Sequence, residues 1–138
     1  MKKLMVAVDG SIPSVQAAKQ AVALGRQLGA DVTLVHVEPY EQGAGEDSLP
    51  EAGRRRQGEL ARGQKVLDAV ISALEGAPVK TLNLVGSPAE VIADTAMDGE
   101  FDLVLVGNKG RGAVSRVLVG SVADRLVHIC PRPVMVVR

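Results

Sequence analysis

Two short segments of this 138-residue chain hold most of the residue types able to do chemistry. One is Asp9-Gly10-Ser11, which follows the apolar run Leu4 to Val8. The other is Gly107-Asn108-Lys109-Gly110-Arg111-Gly112, which follows Leu103 to Val106. Three glycines within six residues allow positive backbone dihedrals and a close approach of the main chain to a ligand. Eight residues past Gly112 stands Gly120-Ser121, at the start of a predicted helix. A helix N-terminus presents free N–H groups and a partial positive charge, and Ser121 adds a hydroxyl. Together these make an anion cradle suited to phosphate. From Asn108 to Arg125, Lys109, Arg111, Arg116 and Arg125 stand against Asp124. That is a local net of +3 in a chain whose 16 basic and 16 acidic residues cancel.

The elements that must position these residues follow from the apolar periods. Leu4 to Val8 is a short continuous apolar run, the pattern of a strand buried on both faces. Pro13 to Leu28 repeats apolar residues at steps of three and four (Val15, Ala18, Val22 and Ala17, Ala21, Leu24, Leu28), with Gln and Lys opposite. That is an amphipathic helix, capped by Ser11 or Ser14 and stopped by Gly29. Val32 to Val37 is a second strand, Glu38 to Pro50 a long exposed loop, and about Glu51 to Glu75 a second helix. Its stripe is Leu60, Leu67, Val70, Ile71 and Leu74, and Gly76 and Pro78 end it. Val79 to Val85 is a third strand. Ser87-Pro88-Ala89-Glu90 then reads as a capping box opening a helix to about Met97. Leu103 to Val106, a helix over Val122 to Ile129, and Val134 to Val137 complete the chain. The order βαβαβαβαβ implies one α/β domain over residues 1–138. Its sheet is open, parallel and five-stranded, with right-handed crossovers and helices on both faces. With strand order 3-2-1-4-5, ligands sit where the order reverses, outside the ends of strands one and four. Asp9 and Gly107 stand there.

Composition removes several functions. The chain is 46% hydrophobic, and Tyr40 and Phe101 are its only aromatics. With zero net charge and no stacking platform, nucleic acid is not an expected partner. Cys130 stands alone, so neither a disulfide nor a cysteine metal site is expected. No apolar segment approaches 18 residues, so no membrane association is expected and the compartment is read as cytoplasmic. The P-loop pattern is absent. A phosphoacceptor receiver needs an Asp where Val85-Gly86-Ser87 stands, and no Ser or Cys lies beside a His as a hydrolytic nucleophile requires.

The spacing Gly107-x2-Gly110-x9-Gly120-Ser121 resembles the nucleotide-binding pattern of the universal stress protein family, in its ATP-binding branch. The similarity extends along the chain: Val8-Asp9-Gly10-Ser11, Val35-His36-Val37, Val85-Gly86-Ser87-Pro88, and the closing Cys130-Pro131-Arg132-Pro133-Val134-Met135-Val136-Val137 all look like it. The resemblance implies a Rossmann-like fold of the adenine nucleotide alpha hydrolase type and a stress-response role. It implies that Asp9, with Gly10 and Ser11, lies near the sugar and a phosphate-bound Mg2+ or Mn2+. Val37 would offer its backbone to the adenine edge, with Ala7 lining the same pocket. Val106, Gly107 and Gly110 would approach the ribose and α-phosphate, and Gly120, Ser121 and Val122 the outer phosphates. Asn108-Lys109 replaces the Ser or Thr followed by Arg or His of many members, and Arg111 completes the expected set. Homodimerisation through strand 134–137 is also implied. It agrees with an edge strand that would otherwise expose unpaired backbone groups.

The remaining residues are read structurally: His36 as a satisfied, half-buried strand residue facing a helix, and His128 as a cation at a helix end. Cys130 is read as a small buried hydrophobe, and Arg54-Arg55-Arg56 as a solvated helix start. No dedicated base for a water is visible, so binding is favoured over turnover. A slow ATP hydrolase, or a module preferring AMP or cyclic AMP, is the alternative.

Overall fold

A computed structural model describes residues 1–40, 48–110 and 119–138 of the chain. The sheet is parallel throughout, in the order β3-β2-β1-β4-β5. Its strands are β1 (Lys3–Ala7), β2 (Asp31–Glu38), β3 (Lys80–Val85), β4 (Leu103–Gly107) and β5 (Val134–Val137). The helices between them are α1 (Ile12–Leu28), α2 (Leu49–Ala73), α3 (Pro88–Asp98) and α4 (Ser121–Ile129).

The two-residue period of the strands sorts their side chains into two cores. Leu4 and Val6 of β1 pack with Val32 and Leu34 of β2 beneath α1 and α2, where Ala17, Ala21, Leu67 and Val70 meet them. Met5, Ala7, Val35 and Val37 face the other way, under Ala89, Ile92 and Ala93 of α3 and Leu126 of α4. Leu4, Leu34, Leu67 and Leu105 are fully buried, each contributing about 1.5–3 kcal/mol. Small alanines on the inner faces of α1 and α3 let those helices lie close to the sheet.

Several boundaries differ from the sequence reading. Glu38 belongs to β2 and Leu49-Pro50 to α2, because Ser48 caps that helix through its hydroxyl on the Glu51 N–H. Residues 41–47, the rest of the expected loop, lie outside the described residues. Helix α2 ends at Ala73, ahead of the expected Glu75, and β3 starts one residue late, at Lys80. Leu60 and Leu28 are exposed rather than part of the apolar stripes. Ser87 stands at the α3 N-cap without a side-chain cap bond, so the capping box is not made. Its Glu90 turns instead to Arg125 of α4, Oε1 to Nε 3.1 Å.

Candidate functional site

Strand β1 stops at Ala7, and the chain turns through Val8 to Asp9 and Gly10, whose φ of +84° suits glycine. The turn is bonded internally. Asp9 Oδ1 accepts from the Ser11 N–H at 2.9 Å and from the Ser11 hydroxyl at 2.5 Å. Ser11 is the N-cap of α1, and the Ser14 hydroxyl accepts from the Asp9 N–H at 3.2 Å. Ser14 therefore has a part that sequence reasoning missed: it ties Asp9 to the first turn of the helix.

The second segment leaves β4 at Gly107. Asn108 N–H donates to Val137 O at 2.8 Å, and Gly120 N–H to Asn108 O at 2.5 Å. The two ends of the glycine-rich connection thus meet, and α4 begins beside β4. Gly107 and Gly110 do not use the positive dihedrals that glycine allows, and neither does Gly120. Close packing requires glycine here. A Cβ on Gly107 would lie 2.7 Å from the Pro13 carbonyl carbon. One on Gly110 would lie 2.7 Å from Asp9 Oδ2, and one on Gly120 would lie 3.2 Å from Lys109 Cα.

A cavity of about 440 Å³ opens between these segments, within the range of about 300–1,000 Å³ usual for small-molecule sites. Of the residues expected from the sequence, Ala7, Asp9, Val37, Val106, Gly107, Lys109, Gly110, Gly120, Ser121 and Val122 line it. Gly10, Ser11 and Asn108 are not among the lining residues, and Arg111 lies outside the described residues, as do Gly112 and Arg116. Val8, Ser14, Val35, Pro39, Pro88, Ile92 and Ala123 also line the cavity. Val8, Val35 and Pro88 of this second set lie in motifs singled out above and Ser14 was named as a possible cap, whereas Pro39, Ile92 and Ala123 carried no signal. The lining is graded, with Val37, Pro39, Pro88 and Ile92 making one apolar end and Asp9, Lys109, Gly120 and Ser121 a polar one. Ser121 opens α4, so its helix N-terminus meets the polar end. Val37 lies two residues beyond the last β1–β2 pair, Ala7 with Val35.

Away from the cavity, His36 is fully buried rather than half-buried, and both its ring nitrogens have partners. Cys130 is half-buried against the α3–α4 core. His128 is exposed on the last turn of α4. Arg54 and Arg56 are exposed and Arg55 is half-buried. Among the described residues no cluster of three or more His, Cys, Asp or Glu could hold a metal ion, and no helix is long and apolar enough to cross a membrane.

A doubly wound parallel sheet with a graded cavity at its switch point defines the Rossmann-like α/β proteins that take small ligands at strand ends. The family model described as the universal stress protein family matches residues 1–138, and the chain belongs to that family. A universal stress protein of Thermus aquaticus is 38% identical over 99% of this chain and 98% of its own length. The universal stress protein UspA from Lactobacillus plantarum superposes with a TM-score of 0.80 at 25% identity, covering 99% of this chain and 97% of that one. The same fold, at 21% identity and a TM-score of 0.65, occurs in a universal stress protein from Archaeoglobus fulgidus solved in complex with dAMP, covering 100% and 98%.

Proposed function

We propose that this chain binds an adenine nucleotide, ATP foremost, and acts as a cytoplasmic regulatory or sensor module of the stress response. The observation that carries the reading is the graded cavity. Its apolar end suits a base and ribose, while its glycine-edged end at α4 suits phosphates. Lys109 adds a cation there, and dAMP in the Archaeoglobus relative is in keeping with the ligand class. Mg2+ or Mn2+ fits as an ion carried by the phosphates, because such hard cations accept one carboxylate plus phosphate oxygens and water. Asp9 is the carboxylate available for that contact.

Mass spectrometry of the nucleotide released from the denatured, freshly purified protein tests the reading, followed by titration with ATP, AMP and cyclic AMP. A cavity that binds none of them removes the proposal. Turnover is the rival reading. A single-turnover burst of ATP hydrolysis matched to the number of sites, and lost in Asp9→Asn, would make the chain a slow hydrolase instead.

We also infer a homodimer through β5. Among the described residues the strand pairs only with β4, and Met135 on it is 38% exposed. An antiparallel copy of the same strand would satisfy its free backbone groups and bury Val and Met together. Light scattering that gives a mass near the 14.4 kDa of one chain at micromolar concentration rules it out.

A further inference from the structure

On the sheet face covered by α2, a buried hydrogen-bonded pair, His36 and Glu38, lies just behind the cavity. His36 of β2 is 1% exposed. Its Nδ1 is 2.7 Å from Val8 O, and its Nε2 is 2.9 Å from Glu38 Oε1. A carbonyl oxygen only accepts, so Nδ1 carries a proton. Nε2 and the Glu38 carboxyl group share the ring's other hydrogen bond. Arg62 Nε stands 3.6 Å from the other carboxyl oxygen, which gives Glu38 a partner on each side. Both ring nitrogens are thus tied, and the ring is fixed between the end of β1 and Glu38.

The remaining groups around the ring have partners of their own and leave its two hydrogen bonds intact. Across the β2–β3 ladder, Asn83 is neutral and gives its amide to Leu60 O at 2.8 Å. Helix α2 meets the ring at Gly63, where a Cβ would lie 3.1 Å from His36 Cδ2. One turn earlier the buried Glu59 carboxylate is 3.9 Å from Arg56 Nε. On the β1 side the next carboxylate, Asp9, is bonded to Ser11.

The consequence falls on the end of β1. Val8 N–H donates to Val35 O at 2.9 Å. In a continued parallel ladder Val8 O would then accept from Val37 N–H. His36 Nδ1 takes that oxygen instead, and the β1–β2 pairing ends at Ala7 with Val35. Val37 is thereby left facing the cavity, and Asp9 departs from a carbonyl held by the His36 ring.

We propose that His36, clamped by Glu38, is a positioning residue of the nucleotide site. By holding the Val8 carbonyl it leaves the Val37 backbone to the base of the ligand, so loss of the ring weakens binding through the base and not through the phosphates. This inference rests on the nucleotide-binding reading above.

The test titrates the full-length wild type, His36→Asn and Glu38→Gln with ATP and with inorganic triphosphate by calorimetry at one pH. We expect about a tenfold loss of ATP affinity in His36→Asn, a smaller loss in Glu38→Gln, and unchanged triphosphate affinity in both, because the triphosphate has no base to meet Val37. Unchanged ATP affinity in His36→Asn, or ATP and triphosphate affinity falling together, overturns the positioning role and leaves the nucleotide reading standing. A wild type that binds no nucleotide overturns both. Should His36→Asn fail to fold, the same comparison in Glu38→Gln decides the matter.

Discussion

The Asp9 carboxylate and Gly110 touch across the ends of β1 and β4, so that a Cβ on residue 110 would lie 2.7 Å from Asp9 Oδ2. The other carboxylate oxygen already accepts two bonds from Ser11. Asp9 therefore cannot swing aside without giving them up. Gly110→Ala is expected to weaken ATP binding at least tenfold while changing stability by less than about 1 kcal/mol. Calorimetric titration and urea unfolding check the two halves; wild-type affinity in the folded variant would show that the contact has no part in binding.

Gly120→Val tests the phosphate end. Its Cβ would press on Lys109 Cα at 3.2 Å and on Gly110 N at 3.3 Å, displacing the backbone that edges the cavity. The expected outcome is loss of nucleotide binding with an unchanged circular dichroism spectrum. Unaltered affinity would sink the assignment of Gly120 to the site.

Gly107 lines the cavity and also bears on stability. A Cβ there would meet the carbonyl carbon and oxygen of Pro13 at 2.7 and 2.8 Å, and backbone atoms in the first turn of α1 have little room to retreat. Gly107→Ala should cost about 1–3 kcal/mol in urea unfolding. A midpoint matching the wild type would mean that α1 can shift away at no cost.

Acid should loosen the start of β1. The Asp102 carboxyl is held below the usual aspartate range by hydrogen bonds from the Lys2 and Lys3 N–H groups, at 2.7 and 2.9 Å. A lowered folded value means the stabilisation is present above the unfolded value of about 3.9 and fades as pH falls through the folded one. Asp102→Asn should therefore melt below the wild type at pH 7, with the gap closing toward pH 2. An equal gap at both pH values would show that the carboxylate charge is not what anchors the strand.

The sequence discloses the strands plainly, because a continuous apolar run such as Leu4 to Val8 can only be buried on both sides. It cannot say which helices cover which side. That division, with Leu4 under α1 and α2 and Met5 under α3 and α4, depends on crossovers that no local period encodes. The glycine spacing likewise marks the polar end of the cavity, whereas Pro39, Pro88 and Ile92 become a slot only when β2 and α3 are brought together. The capping box fails for a similar reason, since Arg125, 35 residues away, competes for Glu90. His36 is the sharpest case. Its burial beneath α2 depends on Gly63, where a Cβ would fall 2.1 Å from Asn83 Oδ1, and nothing in the amphipathic period distinguishes that glycine from Gly53 or Gly58.

The hydrogen bond from Asn108 N–H to Val137 O carries a consequence for the newborn chain. Synthesis runs from the N-terminal side, so β1, β2 and β3 can pair long before α4 exists. The connection after β4 is tied to β5, the last strand of this sheet to be made. A nascent chain that has not yet reached β5 would hold half a sheet with an open edge at β1 and no finished cradle. Under the proposed function, ligand capture waits on that strand, and a nucleotide stabilises only chains that already carry it.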